Sequence, residues 1–422
     1  MKNFIPRIYL SVFFIVLAYV VFKSEIIAQG LRREYYQIHY IILFSFLIFS
    51  FGSFFFSKSL NYKIFSILTS FVFTLYLIEI FLIFNSSSNK RENLFEKYSA
   101  EYSQNKPEIV PDMIPHIHLK DQKAKIIPLS GFSKKKTIFC KEEYTSKYFS
   151  DRFGFRNSDE IWDNNNIDTL IIGDSFAHGA CVNQSKTISG VFTSKKIINL
   201  NLAYSGTGPL IQYATLKEYL PLIKTKNIVW IYYEENDIQD LLFEKTNLIL
   251  TNYLKNSKFS QNLKDKQKII DKLLLSKLKD EIKNKKNTKN LKQFLKLNKV
   301  RFFLMNIIKP GHEFYDVPKD FKKIFKNVKQ ISDKNNIKVF FVYMPQKRRY
   351  LNNQTYLDNK NYNDVINQIN SLNIEVINLD LELMRVIDNP LDLYSKIGFH
   401  LNEFGYAEVS KLILNKIKQS SL

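Results

Sequence analysis

From about Ser150 to the end of the chain, short apolar runs alternate with amphipathic stretches, and this alternation constrains the fold more than any other feature. Strand candidates are Asp168 to Ile172, Lys196 to Leu200, Asn227 to Tyr232, Lys338 to Tyr343 and Glu375 to Leu379. Helical spacing is best at Pro209 to Leu220, Ile238 to Glu244, Lys319 to Asp333, Tyr362 to Leu372 and Glu403 to Ile417. Strands that each lead into a helix need crossovers, which predicts an α/β fold with a parallel sheet between two helical layers. An insertion at about 246–316 separates the third and fourth strands. Its segment Lys255 to Lys299 holds fifteen Lys against four acids, with Leu and Ile at helical spacing around Ile269 to Leu278. That pattern predicts one or two amphipathic surface helices with solvated lysines; a lid or a membrane-surface arm is the alternative.

Three apolar segments occupy the first fifth of the chain, at about Phe4 to Phe22, Ile38 to Phe56 and Ile64 to Phe84. Each approaches the ~20 residues that cross a hydrocarbon core as helix, so residues 1–85 read as a three-helix transmembrane anchor, the second and third spans giving the stronger signal. Positive charge does not orient it: Lys2, Arg7, Lys58 and Lys63 face Lys23, Arg32, Arg33, Lys90 and Arg91 across the bilayer. Glu79 lies near the end of the third span, within reach of the interface. Residues 86–149 are polar, then rich in Pro and Lys, and read as a neck. His116 and His118 within it alternate as metal ligands can, but read as a loop pair.

The formal charge of +21 would suit nucleic acid if a reader motif accompanied it, and none does. An anionic membrane surface or an acidic glycan is the expected counterpart. Cys140 and Cys181 are the only cysteines, with no zinc-type spacing, so neither a metal nor another cofactor is expected. The pair is compatible with a disulfide or with two thiols.

The first strand candidate empties into Gly173-Asp174-Ser175-Phe176, which presents a serine at the carboxyl end of a strand, where open α/β sheets form ligand crevices. Ala203-Tyr-Ser-Gly-Thr-Gly-Pro209 follows the second strand, Glu234-Glu-Asn-Asp237 the third, and Gly398-Phe-His-Leu-Asn402 precedes the last helix. A hydroxyl, an imidazole and several N–H donors are the parts of acyl transfer from an ester.

This ordered set resembles the SGNH hydrolase superfamily, the GDSL-type esterases, over about Asp151 to Ile417. Gly173 to Phe176 matches the first block, Gly206 the second, Asn236-Asp237 the third and His400 the fourth. Asp151-Arg-Phe-Gly-Phe-Arg-Asn157 looks like a segment that precedes the first block in many bacterial members. The resemblance implies a flavodoxin-like three-layer domain at 150–422. It also implies Ser175 as nucleophile, His400 as general base and then acid, and an oxyanion hole from the Ser175 and Gly206 backbone N–H groups and the Asn236 side chain. Two departures accompany it. Glu234 and Glu235 stand where a glycine is usual, and Ile397 and Gly398 occupy the positions of the acid that orients the histidine. Asp392 and Glu403 are the nearest acids, and a backbone carbonyl could orient His400 instead. His178 reads as local structure.

The expected protein is therefore a multi-pass protein of the cytoplasmic membrane with an extracytoplasmic esterase or O-acyltransferase domain. Its expected substrates are acyl esters such as O-acetyl groups of a cell-envelope glycan, with an acyl-donor partner in the membrane as a further option. The alternative is a catalytically degenerate glycan-binding or scaffolding subunit of an envelope assembly.

Overall fold

The computed structural model describes residues 4–27, 33–85, 109–115, 119, 125–140, 146–287, 293–308, 315–351 and 360–420; His116 and His118 lie outside them. The strands are β1 (Ile109–Pro111), β2 (Lys136–Phe139), β3 (Ser146–Phe149), β4 (Asn166–Gly173), β5 (Asn199–Asn201), β6 (Lys224–Tyr233), β7 (Lys338–Met344) and β8 (Glu375–Asn378). The helices are α1 (Phe4–Val21), α2 (Arg33–Gly52), α3 (Lys58–Asn85), α4 (Ser175–His178), α5 (Ile188–Ser194), α6 (Pro209–Tyr219), α7 (Asp237–Glu244), α8 (Leu248–Lys255), α9 (Gln267–Asn287), α10 (Asn298–Ile308), α11 (Lys319–Lys334), α12 (Lys360–Asn370) and α13 (Glu403–Gln419). They fall into two units, one of Met1–Asn89 with Thr288–Gly311, the other of Lys90–Asn287 with His312–Leu422.

Among the described residues of the first unit, two helices are long and apolar enough to cross a membrane, Phe4–Ile26 with 23 residues and Lys58–Phe84 with 27. The middle apolar stretch, His39–Phe55, is shorter, so two candidate spans replace the three expected, and the second segment is the weakest rather than among the strongest. The reason is local: Arg33, Glu34 and Gln37 make the first turns of α2 polar, and the helix tightens at Ser53–Phe55. Only 6% of the apolar window of Lys58–Phe84 is buried, unlike a core helix of a soluble domain.

Glu79 does not reach for an interface. It is buried, and its carboxylate accepts the Lys299 N–H at 3.0 Å and the Val300 N–H at 2.8 Å. The first N–H groups of a helix have no partner within it, so a carboxylate there satisfies two donors and complements the helix dipole. The inserted segment thus contributes α10 to the unit of apolar helices, a pairing that the lysine-rich composition around it did not suggest.

The second unit is built on a five-stranded parallel sheet in the order β5-β4-β6-β7-β8. Side chains alternate across it. Leu170, Ile172, Ile228, Trp230, Tyr232, Phe341 and Tyr343 pack on one face with α6, α11 and α12. Ile171, Val229, Ile231, Phe340, Val342 and Met344 pack on the other with α5 and α13. Both faces are covered, which is why these strands read as nearly continuous apolar runs. Counted within the sheet the order is 2-1-3-4-5, with the reversal between β4 and β6, so the crevice expected of such sheets opens where those two strands end.

The stretch predicted as a neck is part of this unit. β2 pairs with β1 in parallel and with β3 antiparallel, and Val110, Met113, Ile127 and Leu129 enter the main core. In the insertion, α9 buries Ile270, Leu274 and Leu278 at one-turn spacing and exposes Lys268, Lys272 and Lys279, the amphipathic arrangement expected.

Candidate active site

β4 ends at Gly173, whose φ of +154° and closeness to the Ile231 carbonyl leave no room for a side chain: a Cβ would sit 2.7 Å from that oxygen. The chain then turns into α4. Asp174 caps the helix by accepting the Phe176 N–H at 2.9 Å, and Ser175 stands on its first turn. Asp174 is fully buried, which pushes its carboxyl up to about 6 against the pull of the Phe176 N–H and the His400 charge.

His400 arrives from 225 residues away and places Nε2 at 2.8 Å from Ser175 Oγ. Its loop is fixed from several sides. Tyr394 and Leu401 form an isolated antiparallel bridge, the Ser395 N–H donates to the His400 carbonyl at 2.8 Å, and Lys347 Nζ donates to the carbonyls of Ser395 and Gly398. The Phe176 ring lies 4.9 Å from the imidazole and 4.2 Å from Tyr233, which seats His400 against the turn that carries Ser175.

Facing Nδ1 of His400 is a sulfur, Cys181 Sγ at 3.9 Å, in a Cys140–Cys181 disulfide. The two acids considered as orienters engage other groups. Asp392 accepts from Asn389 Nδ2 at 2.9 Å, and Glu403 pairs with Lys186 at 3.7 Å across solvent.

Gly206 has a φ of +65°, and a Cβ there would press on Ile114. Its turn hangs from the end of β4: the Tyr204 N–H donates to the Gly173 carbonyl at 3.2 Å, and Thr207 Oγ1 to the same oxygen at 3.3 Å. Asn236 precedes α7 without capping it. Its Nδ2 donates to Asp240 Oδ2 at 2.9 Å, and its Oδ1 is buried without a hydrogen bond. Asp240 also packs on Gly208, where a Cβ would be 2.7 Å from that of Asp240, so the second and third blocks meet at the same edge of the sheet. The Glu234-Glu235 pair leaves this edge open. Glu234 is buried in an ion pair with Arg349, and Glu235 accepts from Tyr233 Oη at 2.5 Å.

Several supporting residues were not legible as such. Glu244, fully buried, accepts the N–H groups of Gly208, Leu210 and Ile211 and so caps α6 from the end of α7. Asp151 accepts from Phe153, Phe155, Asn157 and Trp162, and burial still pushes its carboxyl up to about 6. Arg156 donates to the carbonyls of Gly179 and Val182 just beyond the serine helix. The Asp151–Asn157 segment is thus a brace behind Ser175. Its signal in the sequence was charged residues interleaved with Phe and Gly, a pattern that suits a buried polar brace.

No protein-family model matches this chain, and no curated protein does. Among solved structures, an acetyl xylan esterase is 14% identical over 60% of this chain and 100% of its own, at a TM-score of 0.31. A GDSL-like lipase from Bacteroides thetaiotaomicron VPI-5482 is 13% identical over 61% and 89%, at 0.33. The lipase/acylhydrolase from Enterococcus faecalis is 13% identical over 60% and 96%, at 0.32. At these values the likenesses transfer no substrate or residue role.

Proposed function

We propose that the chain is a membrane-tethered serine esterase or O-acyltransferase of the SGNH type that acts on acyl esters of a cell-envelope glycan, O-acetyl groups foremost. The observation that carries this reading is the 2.8 Å contact between Ser175 Oγ and His400 Nε2. His400 takes the serine proton as Oγ attacks the ester carbonyl, then returns it to the departing alkoxide. The acyl-enzyme is resolved by water in an esterase or by a sugar hydroxyl in a transferase, and the same residues serve both. The Ser175 and Gly206 N–H groups and the Asn236 amide hold the oxyanion. Asp174 lies within electrostatic reach of His400, in a position next to the nucleophile rather than that of the usual triad acid. The exposed apolar surfaces of α1 and α3 support tethering to a bilayer, and an envelope-glycan substrate would call for the α/β unit at its outer side.

A fluorophosphonate probe on the purified chain tests the reading. Labelling of wild type at Ser175, absent from Ser175→Ala, is expected; equal labelling of both ends the proposal. The sulfur in place of a carboxylate favours the second reading, a glycan-binding subunit without turnover, and glycan binding that survives Ser175→Ala with no ester hydrolysis by wild type would select it.

A further inference from the structure

Cys140, Cys181 and His400 are far apart in sequence, yet one donor atom from each lies within 4.8 Å of the other two. Tetrahedral zinc, with Zn–S about 2.3 Å and Zn–N about 2.0 Å, sets a sulfur-to-nitrogen edge of roughly 3.6 Å and a sulfur-to-sulfur edge of roughly 3.8 Å. The Cys181 Sγ to His400 Nδ1 distance of 3.9 Å already approximates the first edge. The second requires the two sulfurs to part. Cys181 and the rings beside it, Phe139 and Tyr148, wall the site on one side, while Cys140 and His400 are half-buried and leave an approach from solvent.

We propose that reduction of the Cys140–Cys181 disulfide by a dithiol converts this cluster into a Cys2His site for a zinc-type divalent cation, and that the bound metal switches Ser175 off. The reductant delivers two electrons and two protons to the S–S bond and leaves as a cyclic disulfide; the metal then displaces the two thiol protons. The switch follows from the tautomer of His400. A disulfide sulfur is a weak acceptor, so the ring proton can reside on Nδ1, leaving the Nε2 lone pair to receive the serine proton. A metal on Nδ1 binds the Nδ1 lone pair, so the ring proton moves from Nδ1 to Nε2, which then donates to Ser175 Oγ instead of accepting from it. The general base is lost although the Ser175 to His400 contact persists. The metal-binding half is independent of the esterase reading, and only the inhibitory half rests on it.

The test uses the full chain in detergent, either oxidised or reduced with dithiothreitol and desalted without oxygen, titrated with Co2+. The reduced protein is expected to bind one equivalent with thiolate-to-cobalt absorption, the oxidised protein and Cys181→Ser none, and reduced His400→Ala at least tenfold more weakly. Tryptophan fluorescence checks that the reduced chain stays folded. Cys140→His, which cannot form the disulfide yet keeps three donors, is expected to bind cobalt without reductant. Absence of binding in both the reduced chain and Cys140→His overturns the site, and binding indifferent to His400→Ala removes the histidine from it. With Zn2+, fluorophosphonate labelling of the reduced chain is expected to fall at least tenfold and to return on chelation, with no change in the oxidised chain. Cobalt binding without that loss overturns the switch. Cobalt binding in a chain that labels in neither state overturns the esterase reading and leaves the metal site standing.

Discussion

Two histidines lie at the carboxyl edge of the sheet, and they are used in opposite ways. His178 is three residues from Ser175 and fully buried, stacked between Phe139 at 4.2 Å and Tyr204 at 4.8 Å. Its Nε2 meets Tyr148 Oη at 3.1 Å, and its Nδ1 accepts the Ser205 N–H at 3.2 Å. Burial and the nearby Arg156 charge hold its pKa well below the usual histidine range, so it stays neutral with a fixed tautomer. It anchors the turn that carries Gly206. His400 is remote in sequence and half-buried, with one nitrogen on Ser175 Oγ. His178 is a structural strut because its ring is held between Phe139 and Tyr204 and both of its nitrogens are engaged.

The comparison can be broken by substitution. The largest effect is expected at His400: His400→Ala should lower ester turnover by about 10²- to 10⁴-fold with little change in thermal unfolding. Comparable activity in His400→Ala would show that another group takes the proton. His178→Ala should cost stability instead, about 2–4 kcal/mol in denaturant unfolding, from a cavity between two rings and from the unpaired Ser205 N–H. Retention of fluorophosphonate labelling by its folded fraction would sharpen the contrast.

The smallest effect is in pH dependence. As pH falls below about 6.5, the unfolded chain protonates His178 and the folded chain does not, so stability falls by up to about 1.4 kcal/mol per pH unit from this group. Asp112 opposes it. Burial pushes its carboxyl up to about 7, so the folded chain takes up a proton as pH falls through 7, and stability rises. Asp112→Asn should therefore steepen acid destabilisation between pH 7 and 5, and His178→Gln should flatten it, both read from thermal unfolding across that range.

Much of the α/β unit was legible because its signals are local. β4, β6 and β7 each matched an apolar run to within a few residues, since strands buried on both faces cannot hide polar positions. α6, α7, α11 and α13 announced themselves by spacing and by Pro209 or an acid in the first turn. The small sheet of β1 to β3 was missed because its strands have three or four residues and only half-buried patterns. Glu79 was misread for a different reason. Its partners, the Lys299 and Val300 N–H groups, lie 220 and 221 residues away, and backbone donors have no signature in composition.

By itself, then, the sequence determined the alternating elements, the apolar character of the N-terminal segments and the four turns that carry Ser175, Gly206, Asn236 and His400. Those properties are written in local periodicity and in residues that turns and strand ends demand. Only the tertiary structure decided what each polar group faces: Asp392 and Glu403 away from the imidazole, Glu234 in a buried pair with Arg349, a disulfide sulfur on His400 Nδ1, and Glu79 and Glu244 capping helices from other parts of the chain. A hydrogen bond or ion pair requires angstrom proximity, and between distant segments that proximity is fixed by packing, which no short stretch of sequence encodes.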